Sequence, residues 1–299
     1  MAPLKLPEAI RKLKHFIGSS EMLPTEDDID ALVSRRGQGA MLLDHYSPQD
    51  VVEVFERYGV TPKLRERGFE RFAVALETAD PERQTVRLTA ERGMRSMLLG
   101  ECILRDDDFH TDQEFAGPLQ GRHLHMLIIQ WVRLQDPTRS FTPERPALPG
   151  QDHPGCGVGR EVMDMFLGLA ARLDFSGIMV CPEFAHNAVM YAGQFRFFDP
   201  ETQGRFEALL RCLDGISLAE FAWGVELGCV VDETSGAPLR WLHEEMIRAT
   251  DEVVQGYLDS PAYLEAVEGA RGAHRFAFDR DRYNELDPLR ADGTAMITP

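Results

Sequence analysis

The strongest constraint on the fold of this 299-residue chain is an almost continuously apolar run, LHMLIIQWVRL, at residues 124–134. A strand that is apolar on both faces is usually central in a sheet that is covered on both sides. Three shorter β-rich runs precede it, at residues 72–78, 84–88 and 96–104. Turn-forming residues separate these runs: Asp80-Pro81, Arg92-Gly93 and the acidic run 106–108. The sequence therefore predicts a sheet with residues 124–134 as a central strand.

Helical patterns flank this region on both sides. Before it, Ser47 is a preferred N-cap residue, Pro48 occupies the first helical position, and Gly59 ends the pattern. After it, the periodicity predicts a helix, a buried strand and a short helix, at residues 160–173, 177–181 and 187–194. The connection at 135–154 is proline-rich and is predicted to be an ordered surface loop.

The chain beyond Asp199 is predicted to be mainly helical. The expected helices lie at residues 201–213, 218–227, 243–258 and 261–270. A hairpin turn is expected at Ser235-Gly236 and a loosely held polar tail after Arg280. We therefore divide the chain into an N-terminal helical region, a core and a helical C-terminal extension: residues 1–65, 66–200 and 201–299.

Composition and charge disfavour several classes of protein. No run of about 18 apolar residues exists, so no membrane span is predicted. The first residues lack the apolar segment of a secretory signal, and the five cysteines are scattered without a CxxC pair, which favours reduced thiols in a cytoplasmic protein. The formal net charge of −17 disfavours a nucleic-acid partner and would attract a basic substrate, although acidity also serves solubility alone.

The segment most suggestive of chemistry is the loop HPGCGVGR at residues 153–160, directly before the helix predicted at 160–173. Alternate glycines let backbone N–H groups point into one concavity, and the helix N-terminus adds a partial positive charge. Such a loop can hold a diphosphate. The same sequence is also compatible with a purely structural turn before a helix. A dinucleotide-binding GxGxxG would need glycine where Arg160 or Val162 stands, and a P-loop would need Gly-Lys-Ser/Thr, so neither motif is present.

The order of elements between residues 69 and 200 resembles the GNAT acetyltransferase family. In that family three antiparallel strands lead into a central fourth, a Gly-x-Gly/Ala loop opens a helix, and a fifth strand and a short tyrosine-bearing helix follow. The corresponding segments here are FAVALET, QTVRL, SMLLGECIL, HMLIIQWVRL, the loop PGCGVG, REVMDMFLGLAARL, GIMVCPE and HNAVMYAGQFRF. The resemblance implies an α/β (α+β) fold with a mixed, mostly antiparallel sheet flanked by helices, here with helical extensions at both ends.

The resemblance also implies transfer of an acyl group from acetyl-CoA or a longer acyl-CoA to an amine acceptor, either a small molecule or a protein. The fourth and fifth strands would grip the pantetheine arm, and a backbone N–H of the fourth strand would polarise the thioester carbonyl. The implied CoA-binding residues lie at the end of the fourth strand, in the loop and in the short helix: Trp131, Val132, Arg133, Gly155, Cys156, Gly157, Val158, Gly159, Arg160 and Asn187. The sequence does not determine whether the chain forms a homo-oligomer.

Three side chains are candidates for proton transfer. Tyr191 lies where the family carries a tyrosine that protonates the leaving thiolate, and a merely packed aromatic ring is the competing interpretation. Glu183, after the strand at 177–181, and Glu101, inside the third strand, are candidates for the base that deprotonates the amine. Burial of Glu101 would raise its pKa, and a solvated or ion-paired carboxylate is the alternative at both positions.

Two other functions compete with this one. Pro154 stands where the family usually has arginine or glutamine, and the insertion before it is long, so a non-catalytic GNAT-like binding protein is the second hypothesis. Four histidines expected around one end of the sheet motivate the third, a metalloenzyme: His123, His125, His153 and His186. Because nothing else has the spacing of metal ligands, we predict no metal site.

Overall fold

The central feature of the computed structural model, which describes residues 40–110, 119 and 121–286, is one large sheet. Before the glycine loop the elements are α1 (Pro48–Arg57), α2 (Val60–Glu66), β1 (Glu70–Glu77), β2 (Gln84–Arg92), β3 (Arg95–His110) and β4 (His123–Leu134). After the loop come α3 (Gly159–Arg172), β5 (Gly177–Val180), α4 (Ala185–Tyr191), β6 (Arg196–Phe197) and α5 (Pro200–Leu209). The remaining elements are α6 (Leu218–Glu226), β7 (Val230–Asp232), β8 (Met246–Ala249), α7 (Glu252–Leu258), α8 (Pro261–Ala273), β9 (Phe276–Phe278) and α9 (Arg280–Leu286).

Seven strands pair in the order β1-β2-β3-β4-β5-β8-β6. Every neighbouring pair in this sheet is antiparallel except β4 and β5, which run parallel. The mixed, mostly antiparallel sheet flanked by helices is therefore confirmed, with β4 as its fourth and central strand. Strands β7 and β9 form a separate two-stranded sheet.

Local sequence chemistry explains the element boundaries that the sequence predicts well. Helix α1 begins at Pro48 behind a complete capping box, in which Ser47 and Asp50 bond each other's backbone N–H groups. It ends before Gly59, whose positive φ of 80° is a conformation that glycine adopts without strain. At the hairpin between β2 and β3, Gly93 likewise has a positive φ of 64°.

Three local expectations were wrong. The acidic run 106–108 is not a turn but part of β3, because its backbone pairs in register with β4 from His125 to Leu127. The helix expected at 243–258 is divided: Met246–Ala249 forms β8, which pairs with both β5 and β6, and only Glu252–Leu258 is helical. The sheet thus takes a strand from outside the range 66–200. The described part of the tail after Arg280 ends at Leu286, belongs to helix α9 and buries Tyr283, whereas residues 287–299 lie outside the described residues.

Apolar side chains fill both faces of the sheet. The larger core lies between the sheet and helices α1, α3, α4 and α5, and a second core forms where α7 and α8 cover the other face. Within the described ranges, no helix combines the length and the apolar character needed to cross a bilayer.

Candidate functional site

The main cleft opens where the two parallel strands part. Strands β4 and β5 are paired from Met126 opposite Gly177 to Ile129 opposite Val180. Strand β5 ends there, whereas β4 continues to Leu134, so no strand among the described residues pairs with this last part of the β4 edge. A cavity of about 390 Å³ lies at this point, lined by the end of β4, the glycine loop, α3 and α4.

The hydrogen-bond register tells which backbone groups of β4 face this cleft. The N–H of Gln135 donates to the carbonyl of Leu99 at 2.8 Å, on the β3 side. Because donors alternate along an antiparallel strand, the N–H groups of Arg133 and Trp131 also point to β3, and those of Val132 and Leu134 point to the open edge. Of the β4 residues predicted to contact CoA, only Val132 therefore offers its N–H to the cleft.

The side chain of Arg133 is engaged elsewhere. Its guanidinium lies 3.1 Å from the Glu101 carboxylate, and Arg87 approaches the same carboxylate at 3.7 Å. Glu101 is thus an ion-paired carboxylate, not the isolated buried base that the sequence allowed.

The glycine loop forms one wall of the cleft. Gly155, Cys156, Gly157, Gly159 and Arg160 line it, and α3 begins at Gly159 with its N-terminus at the cleft. Gly157 has a positive φ of 72°. The Val158 side chain is instead fully buried in the core, so its contribution is limited to its backbone.

Cys156 is a packing residue of this loop. Its side chain is fully buried, and burial raises the pKa of the thiol to about 11 despite bonds from the loop backbone and the charge of Arg67. At neutral pH the thiol is therefore protonated, and it is not a nucleophile.

Sequence reasoning missed Arg67, which follows α2. A Cβ added to Gly157 would lie 2.3 Å from Nη2 and 2.9 Å from Cζ of Arg67, so the guanidinium rests directly on the loop backbone. Ninety residues separate the two positions, and no local pattern connects them. The structure thereby places a positive charge beside a loop that offers backbone N–H groups.

Tyr191 and Asn187 of α4 line the opposite wall, together with Glu183. Burial raises the pKa of Tyr191 to about 12, and Cys102 nearby acts in the same direction. The phenol consequently keeps its proton at neutral pH and is available as a hydrogen-bond donor.

The mouth of the cleft beyond β5 is acidic. Burial, followed by repulsion from Glu183, raises the pKa of Glu226 in α6, while His243 lowers it. Partial burial, followed by the charges of Glu245 and Glu244, likewise raises the pKa of the largely exposed Cys181 thiol. Glu226 was not singled out from the sequence, because only the fold brings α6 next to Glu183.

The four histidines lie at two different ends of β4. His153 and His186 line the cleft, whereas His125 is near the start of β4, with Nδ1 3.3 Å from Asp108 and its ring stacked on Phe175. Nine residues of extended strand, about 30 Å, separate His125 from Leu134. The grouping on which the metal hypothesis depended was therefore wrong, and no cluster of three metal-ligating side chains occurs in the ranges that the structure describes.

His186 is nevertheless unusual. Its side chain is 2% exposed, stacks on Phe184 with ring centroids 5.5 Å apart, and leaves Nδ1 without a hydrogen-bond partner in the described structure. Burial lowers its pKa to about 4, so the ring is neutral at physiological pH.

Comparison with known proteins adds no further constraint on this site: no protein-family model matches the chain, and no curated protein matches its sequence.

Proposed function

We propose that the chain is a GNAT-like acyltransferase, which moves an acyl group from an acyl-CoA to an amine. One observation carries this proposal: the parallel strands β4 and β5 part at Ile129 and Val180, and the cleft between them contains unpaired strand N–H groups, a glycine loop and a helix N-terminus. The order of elements along the chain, from three antiparallel strands to the tyrosine-bearing α4, also agrees with the resemblance of the sequence.

The diphosphate of CoA would lie on the glycine loop. The loop backbone and the first turn of α3 supply N–H donors and a partial positive charge. The Arg67 guanidinium rests on the same loop, and Arg160 lines the cleft. These groups favour a doubly charged ligand even though the whole chain carries a net charge of −17.

The thioester carbonyl would accept a hydrogen bond from β4. Val132 and Leu134 direct their N–H groups into the cleft, and a strand backbone holds these donors in place before the reaction begins. When the amine nitrogen attacks the carbonyl carbon, negative charge develops on the carbonyl oxygen. A fixed donor there stabilises the transition state by roughly 3–4 kcal/mol.

Tyr191 would stabilise the leaving group. When the carbon–sulfur bond breaks, the electron pair stays on sulfur as a thiolate. A free thiol has a pKa of about 8.5, whereas the pKa of Tyr191 is raised to about 12, so complete proton transfer from the phenol is unfavourable. The phenol O–H therefore acts by donating a hydrogen bond to the thiolate.

The amine would enter at the acidic mouth. A protonated amine is attracted by Glu183 and Glu226, and it must lose a proton before it can attack. Burial, followed by repulsion from Glu183, raises the pKa of Glu226, so this carboxylate holds a proton more readily than an isolated carboxylate does. Glu183 lines the cleft itself and remains the residue proposed to take the proton.

The proposal is tested by ligand binding followed by turnover. CoA at a hundred times its dissociation constant adds about 2.7 kcal/mol to the free energy of unfolding, which raises the melting temperature measurably. Release of free thiol from acetyl-CoA and longer acyl-CoAs, measured with a panel of amines, then tests catalysis. No response to any CoA species would refute the CoA site, and tight binding without turnover of any amine would favour the non-catalytic binding protein.

A further inference from the structure

A second cavity lies behind the cleft, between the sheet and helices α1 and α3. Its volume is about 70 Å³, and its walls come from β2, β3 and β4 on one side and from the two helices on the other. The walls are almost wholly apolar and include Leu88 of β2, Leu104 of β3 and Met165 of α3. All three of these side chains are at least nine-tenths buried.

The cavity and the cleft share part of their lining. Four residues border both spaces: Val132, Leu134, Val162 and Phe166. Two of them, Val132 and Leu134, are the residues whose N–H groups face the open edge of β4. The backbone that would hold the thioester carbonyl therefore carries side chains that line the apolar cavity.

The polar groups of the cavity wall are satisfied or uncharged. Arg172 donates a hydrogen bond to the Tyr46 hydroxyl, and burial raises the pKa of Cys102, so its thiol is neutral. Cavities with apolar walls stay dry and take apolar guests. Since one water occupies about 30 Å³ of liquid and a methylene is of comparable size, a cavity of about 70 Å³ has room for two or three methylenes.

We propose that this cavity receives the acyl chain and selects acyl groups of four or five carbons over acetyl. The inference rests on the proposed function, because it assigns the second cavity a part of the same acyl-CoA. The chain would pass from the carbonyl at Val132 and Leu134, between Val162 and Phe166, into the space under α1.

The test compares dissociation constants of the full chain for CoA, acetyl-CoA, butanoyl-CoA and octanoyl-CoA by calorimetry. Burial of one methylene strengthens binding about fourfold, so two further methylenes should make butanoyl-CoA bind about 15-fold more tightly than acetyl-CoA. Octanoyl-CoA should bind no more tightly than butanoyl-CoA, because the cavity is then full.

Two substitutions change the cavity in opposite directions. Leu88→Phe fills it and should remove the preference for butanoyl-CoA, whereas Met165→Ala enlarges it and should make octanoyl-CoA the tightest ligand. Leu209→Phe is the matched control, because Leu209 is equally buried in α5 but does not line either space. Unacylated CoA should bind all four proteins with the same affinity.

The outcomes separate the two proposals. Equal affinity for CoA, acetyl-CoA and butanoyl-CoA would overturn the acyl-chain pocket while leaving the CoA site intact. A preference for butanoyl-CoA that survives Leu88→Phe and is unmoved by Met165→Ala would also overturn it. Failure of every CoA species to bind would overturn the proposed function and the pocket together.

Discussion

Replacement of Gly157 by alanine separates the conformational role of this glycine from its contact with Arg67. The residue has a φ of 72°, where an L-amino acid costs roughly 1–2 kcal/mol. The new methyl group would also lie 2.3 Å from Nη2 of Arg67. Since that atom is the far end of a flexible side chain, we expect the guanidinium to move away from the loop while the fold adapts around it.

The backbone cost and the loss of the Arg67 contact appear in different measurements. The backbone cost should lower the melting temperature by about 2–4 °C for each kcal/mol. Loss of the arginine should weaken CoA binding, because a hydrogen bond to a charged group contributes about 1.5–3 kcal/mol, or roughly 10- to 100-fold in the dissociation constant. Gly236 provides a matched control, since its φ is 68° and a Cβ there would meet nothing within 4 Å.

The assay is calorimetric titration of CoA together with thermal unfolding for Gly157→Ala, Gly236→Ala, Arg67→Ala and the double variant of positions 67 and 157. We expect similar losses of melting temperature for the two glycine variants, but weaker CoA binding only for Gly157→Ala. In the double variant the alanine at 157 should add little to the effect of Arg67→Ala, because both remove the same contact. Wild-type affinity in Gly157→Ala would refute the role given to Arg67.

Three further predictions concern single side chains. Tyr191→Phe should lower kcat about 10- to 100-fold with unchanged CoA affinity, because one hydrogen bond to the thiolate is lost; steady-state kinetics with calorimetry checks this, and an unchanged kcat would remove Tyr191 from the mechanism. The pKa of His186 is about 4 in the folded chain, against 6.5 in the unfolded chain. Between these two pH values the unfolded chain binds more protons than the folded one. The free energy of unfolding therefore falls by up to about 3 kcal/mol as the pH drops through this window. Urea unfolding at pH 7 and pH 4.5 should show a smaller loss for His186→Phe than for the wild type, and equal losses would contradict that burial. Cys181 is exposed whereas Cys156 is buried with a pKa of about 11, so iodoacetamide at pH 8 should modify Cys181 first and reach Cys156 only on unfolding, as peptide mass spectrometry would report.

Elements with a strong local pattern were predictable. The strands preceding the glycine loop, the helix after it and the strand at Gly177–Val180 follow from alternation, continuous apolarity and capping residues, which are properties of neighbouring residues. Strand β8 was not predictable in this way. Met246–Ala249 is a four-residue run inside a helix-compatible pattern, and it is a strand only because β5 and β6 offer edges on both sides.

The same division applies to the site. The glycine loop has a local signal, and most of its residues do line the cleft. Arg67 and Glu226 have none, because each reaches the site through tertiary packing. Which residues of β4 direct their N–H groups into the cleft depends on the hydrogen-bond register with β3. The bond from the Gln135 N–H to the Leu99 carbonyl fixes this register, and the sequence of β4 alone does not reveal it.

Pro182, just after β5, and Gln130 of β4 explain why the cleft opens where it does. Strand β5 stops at Val180, two residues before Pro182, which has no N–H to donate and whose carbonyl accepts a bond from the Trp241 indole at 2.9 Å. On β4 the register with β3 skips Gln130, and such a bulge increases the local twist of the strand. Pro182 cannot donate a hydrogen bond that would extend the pairing of β5 with β4, and the bulge twists β4 at the same level. The backbone N–H groups of Val132 and Leu134 are therefore directed to a ligand site instead of to a neighbouring strand.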